Sequence, residues 1–166
     1  MLVVSEYCKP FVVAPEFKDN PPWAEMQGVD FQNFPVCNTL ILDPLDATKE
    51  IVRRHKEAGI AAPAAEWCLD YSYGRIGKGR WALPTSIQLR AIYRYKYDIW
   101  TCRYVLYPQD SKEFELCRLW SCEGIGQEFA MVGLVMSDPI NGVRIVHRCP
   151  FFSTKVFPVA SLEKNI

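Results

Sequence analysis

The sequence predicts an α+β fold in which one helix packs on a curved, mainly antiparallel sheet. The sheet ends in a four-strand C-terminal meander, half-barrel or cone-like in shape, and extended Pro- and aromatic-rich arms flank it. Three observations predict this. Residues 86–99 (SIQLRAIYRYKYDI) carry an apolar side chain at every second position. Residues 44–58 carry one apolar stripe at helical spacing. From residue 108 to 149, turn-forming clusters separate short apolar runs.

The alternation over 86–99 places Ile87, Leu89, Ala91, Tyr93, Tyr95, Tyr97 and Ile99 on one side. Polar residues fill the other side, and only Ile92 breaks the pattern. Successive side chains of a strand point to opposite faces, so this pattern predicts a strand with one buried face. At ~3.3 Å per residue it would reach roughly 46 Å, so it must curve. After Ile99 the apolar phase slips to Trp100, Cys102, Tyr104 and Leu106, which predicts one bent strand over 86–107 with a bulge near 98–100.

Three more strands complete the meander. A turn at 108–111 (PQDS) leads to a strand over 114–122, broken by Gly124, Ile125 and Gly126. Residues 128–136 (EFAMVGLVM) are nearly all apolar, the mark of a central strand covered on both faces. The turn at 137–142 (SDPING) precedes a strand in which Val143, Ile145, His147 and Cys149 alternate with Arg144, Val146 and Arg148.

Upstream, residues 1–35 read as an extended arm, interrupted by Pro10, Pro15, Pro21, Pro22 and Pro35. Its large apolar residues are Phe11, Phe17, Trp23, Phe31 and Phe34. Each ring gains roughly 1.5–3 kcal/mol from full burial, so the arm must dock on something, either its own sheet or a neighbouring subunit. Residues 36–42 form a short strand. Asp43 then caps a helix with Pro44 at its first position and Asp46 in its first turn, and Gly59 stops it after Ala58. Leu45, Thr48, Ile51, Val52, His55 and Ala58 form its inner stripe, while Lys49, Glu50, Arg53, Arg54, Lys56 and Glu57 face water.

Residues 60–65 make a connector, 66–73 (EWCLDYSY) an edge strand and 74–80 (GRIGKGR) a basic glycine-rich loop. The chain therefore divides into an N-terminal arm (1–35), a single α+β domain (36–149) and a C-terminal apolar tail (150–166) that carries Phe151, Phe152 and Phe157.

Composition narrows the function. The 166 residues suit one domain, and 19 basic residues balance 19 acidic ones. That balance argues against a general electrostatic grip on nucleic acid. No window approaches 18 consecutive apolar residues, so no membrane span is expected. Seven cysteines in irregular spacing, behind a start (MLVVSEYCKPFVV) without a basic leader, predict reduced thiols in an intracellular compartment, cytoplasm or organelle matrix.

Candidate sites follow from residue chemistry. Arg75, Lys78 and Arg80 in the glycine loop are a candidate anion or RNA contact, although no Gly-Lys-Ser/Thr signature is present. Tyr93, Tyr95, Trp100 and His147 are candidates to line a pocket between helix and concave sheet. Cys117, Cys122, His147 and Cys149 have spacing unsuited to zinc, so no metal and no cofactor is expected. His55 and His147 are the only bases for nucleophilic chemistry, and no acidic partner is singled out for either, which points away from an enzyme.

The leading expectation is a non-catalytic structural or accessory subunit of an assembly, docked to other protein subunits through the aromatic residues of its two arms and the exposed face of the strand over 86–107. The alternatives are a small-ligand-binding or enzymatic α+β domain with the pocket named above, and RNA contact through loop 74–80.

Overall fold

The structure is a computed structural model that describes residues 1–6, 8–19, 21–25, 39, 43–106, 118–125, 129–135, 143–148 and 155–162. Its elements are β1 (Leu2–Ser5), β2 (Cys8–Val13), α1 (Pro44–Glu57), α2 (Pro63–Asp70), α3 (Ser86–Arg94), α4 (Lys96–Leu106), β3 (Arg118–Ile125), β4 (Phe129–Val135), β5 (Val143–Arg148) and β6 (Val159–Ser161). The described residues form a mixed α+β fold. They build two three-stranded antiparallel sheets, ordered β1-β2-β6 and β3-β4-β5.

α1 forms where its sequence signals place it. The Asp43 carboxylate accepts from Leu45 N at 3.0 Å, Pro44 opens the helix, and Gly59 leaves it with φ +71°, a backbone state that costs a glycine little.

The long strand expected over 86–107 is instead the helix pair α3 and α4. Thr85 starts it with a capping box: its hydroxyl accepts from Gln88 N at 3.2 Å, and Gln88 Oε1 accepts from Thr85 N at 2.9 Å. The helices meet at Tyr95, whose N donates to Ala91 O at the end of α3 and whose O accepts from Ile99 N at the start of α4. The alternation misled because the apolar residues sit on both sides of the helices. Leu89 is 1% exposed while its alternation partners Ile87 and Tyr97 are 47% and 71% exposed. Leu89, Ile92 and Ile99, three and seven residues apart, are the ones turned inward. The slip after Ile99 is the turning of α4 about its axis, and no bulge occurs at 98–100.

The edge strand expected over 66–73 is instead helical through Asp70, as the end of α2, and Tyr73 makes only an isolated bridge to Ile76. Pro63 occupies a first-turn position, Ala64 and Ala65 favour helix, and Glu66 accepts from Ala62 N at 3.2 Å. With α3 and α4 in place of the first strand, the described part of the expected four-strand meander is three strands, β3-β4-β5, and no half-barrel shape is found among the described residues. β3 also runs through the expected break: Gly124 and Ile125 pair with Ala130 and Phe129, after a register irregularity between Trp120 and Gly124. The expected strand at 36–42, apart from Thr39, and the turns at 108–111 and 137–142 lie outside the described residues.

The stretches read as arms are joined to each other. β1 and β2 form a hairpin, and β6 from the C-terminal tail pairs with β2, matching Phe11 to Ser161 and Val13 to Val159. The Met1 ammonium donates to Val13 O at 2.7 Å, and Lys18 bridges Val156 further along.

β3 separates two apolar clusters. Leu119 packs with Val3, Phe11, Leu89, Ile92 and Phe157, whereas Trp120 and Cys122 pack with Trp23, Ile51, Cys68 and Leu83. Neighbouring side chains on a strand point to opposite faces, so β3 is covered on both. Two indole donors fasten the N-terminal segment to it: Trp23 to Ser121 O at 3.2 Å and Trp120 to Pro21 O at 2.9 Å. α3 lies against strands of both sheets, which fixes where α4 emerges.

Candidate partner-binding surface

The aromatic residues expected to anchor a partner fall into three groups. Phe11, Trp23 and Phe157 are buried inside the chain's own clusters, so the apolar surface they carry is already covered. Phe17 is half-buried: it stacks on Phe157 at 5.4 Å between ring centroids, and Arg103 and Lys155 lie over its ring at 4.4 and 5.0 Å. Phe31, Phe34, Phe151 and Phe152 lie outside the described residues.

Tyr95 packs on the Phe11–Leu89 cluster, Tyr93 lies under the Lys96 ammonium at 4.4 Å, and Trp100 is exposed beside Tyr104. His147 is on β5, with its Cα opposite Met131. A described cleft, lined by Asp43, Leu45, Arg80, Ala82 and Ser161, has a volume of about 10 Å³, room for about one water.

The glycine loop is a compact turn. Tyr73 and Ile76 exchange backbone hydrogen bonds, and Gly74 and Gly79 take positive φ. Lys78 pairs with Asp70 at 2.6 Å on the surface, and Arg75 and Arg80 are exposed. The loop therefore carries its cations at the surface, with Lys78 paired to a carboxylate.

The buried His55, Cys68 and Cys122 are held in their neutral forms. His55 donates Nδ1–H to Ile51 O at 2.7 Å and meets the Trp23 ring edge-on, and burial pushes its pKa below 6.5. Burial pushes the Cys68 and Cys122 thiols well up, so neither is poised as a thiolate nucleophile. Among the described residues no three His, Cys, Asp or Glu side chains are grouped as metal ligands, and Cys117 and Cys149 lie outside them. Among the same residues no helix is long and apolar enough to cross a membrane.

The surface that stands out is α4, which sequence reasoning had taken for strand. Only Ile99 of this helix is buried. Tyr97, Trp100, Tyr104 and Val105 are exposed, with Trp100 and Tyr104 packed ring to ring at 5.9 Å. A helix that is apolar on both sides is normally buried, and this one is covered on one side only. The pattern 97-100-104 is the ridge of one helix face, and it is legible in the sequence once the Thr85–Gln88 capping box is taken as a helix start.

The described residues form a mixed α+β fold that leaves one apolar helix face exposed. No family model, no curated protein and no solved structure matches the chain.

Proposed function

We propose that the protein is a non-catalytic structural or accessory subunit of a larger protein assembly, docked through the outer face of α4. The observation that carries this reading is the exposed row Tyr97, Trp100, Tyr104 and Val105 on a helix whose inner side is already in the core. Aromatic residues of this kind dominate the buried centres of protein interfaces, where they exclude water over a large area at low entropic cost. Burial of Phe11, Trp23 and Phe157 within the chain moves the docking surface from the two ends to this helix. The neutral, buried His55, Cys68 and Cys122 supply no activated base or nucleophile, which favours docking over catalysis.

The test is the native mass of the untagged protein in gentle lysate, beside that of a Trp100→Glu/Tyr104→Glu variant. The wild type should elute at high mass with a fixed set of chains, and the variant should elute alone with its thermal midpoint unchanged. Elution of the wild type as a lone monomer would overturn the reading.

A further inference from the structure

We propose that the partner places an acidic amphipathic helix along α3 and α4. This deepens the subunit reading and rests on it. The exposed residues Ile87, Arg90, Arg94, Tyr97, Thr101 and Tyr104 recur in alternating steps of three and four through both helices. That is the spacing of a helix–helix seam, carried in two parts that meet at Tyr95, where α3 ends and α4 begins. From residue 87 to residue 104 the two parts together run about 26 Å at ~1.5 Å per residue, enough to seat a partner helix of about five turns.

Charge selects the occupant. Residues 86–106 hold Arg90, Arg94, Lys96 and Arg103 against Asp98 alone, in a chain whose net charge is zero. An incoming helix with Glu or Asp beside its apolar positions meets Arg90, Arg94 and Lys96 with opposite charge while covering Ile87, Tyr97 and Tyr104. Arg94 now pairs with Glu6 at 3.1 Å, both exposed, and exchanging that carboxylate for a partner's costs little.

Three other occupants fit less well. A second copy would set the same cations against each other. Nucleic acid needs open ring faces for its bases, but Lys96 lies over Tyr97 at 5.0 Å and Trp100 packs on Tyr104. A lipid surface needs an uninterrupted apolar sector, and here Arg90, Arg94 and Thr101 alternate with the apolar residues.

The experiment uses the full chain with Tyr97 replaced by p-benzoylphenylalanine, irradiated in native lysate, with the cross-linked peptide sequenced. The expected product is a net-negative segment with apolar residues at helical spacing. A synthetic peptide of that sequence should bind the wild type, lose at least tenfold affinity to an Arg90→Glu/Lys96→Glu variant of unchanged thermal midpoint, and weaken with added salt. A cross-link to a second copy, to nucleic acid, to lipid or to a segment without net negative charge would overturn the proposal. No cross-link from a protein that still elutes at high mass would overturn this surface and leave the subunit reading standing. A monomeric native mass would overturn both.

Discussion

α1 and α4, helices of 14 and 11 residues, meet water in opposite ways. α1 turns Ala47, Thr48, Ile51 and His55 inward and satisfies its outer face by itself. There Glu50 takes Arg53 at 2.7 Å and Arg54 at 2.6 Å, and Arg53 also takes Glu57 at 2.6 Å. Hydrogen bonds from Arg53 and Arg54 draw the Glu50 pKa down to about 2. α4 turns in Ile99 and leaves aromatic and aliphatic side chains outside. The difference teaches that α1 is satisfied within this chain, whereas α4 leaves an apolar face outside, the face on which the proposed docking rests.

The largest effect should separate the two helices directly. Ile51→Ala removes a fully buried side chain and should cost about 3 kcal/mol in denaturant unfolding. Val105→Ala, at a position 73% exposed, should stay within about 0.5 kcal/mol. Equal losses at both sites would break the comparison.

A smaller effect tests how α3 and α4 are held in place. Glu123 Oε1 accepts from Ser86 N at 3.1 Å and from Ser86 Oγ at 3.0 Å, tying the positive end of α3 to β3. Glu123→Ala should cost about 2 kcal/mol by leaving those donors unpaired. An unchanged unfolding midpoint would mean that packing alone fixes α3.

Acid should weaken α1 through its buried histidine. The folded pKa of His55 lies below its unfolded value of 6.5, so the unfolded chain binds the proton more readily. The stabilisation from a neutral His55 is complete above pH 6.5 and is lost as pH falls through 6.5 toward the lowered folded pKa. Unfolding midpoints between pH 7.5 and 5 should show this slope in the wild type and not in His55→Gln. The smallest effect belongs to the surface network. Glu50→Gln should cost about 0.5 kcal/mol, and 1 M salt should erase the difference, because exposed pairs are screened.

What was legible in the sequence depended on local chemistry. The start and stop of α1 could be read because Asp43, Pro44 and Gly59 act through their own backbone. β4 and β5 could be read because an apolar run and an alternation flank turn residues. α3 and α4 were hidden by the chance alternation of Ile87, Leu89, Tyr93, Tyr95 and Tyr97. Yet the capping box, the lack of Gly or Pro and the implausible strand length all pointed to helix. The exposed row on α4 was hidden with it, since a wrong period assigns the wrong faces.

By itself the sequence determined that this is a mixed α+β chain, that α1 is a capped amphipathic helix and that Phe11, Trp23 and Phe157 must be covered. Tertiary structure decided what covers them: β2 paired with β6, and β3 lying between two clusters. It also decided that residues 86–106 are helical with one apolar side left outside. The physical reason is that capping and turn formation act over a few neighbouring residues. Burial is a contest among segments far apart in the chain, settled only when they pack.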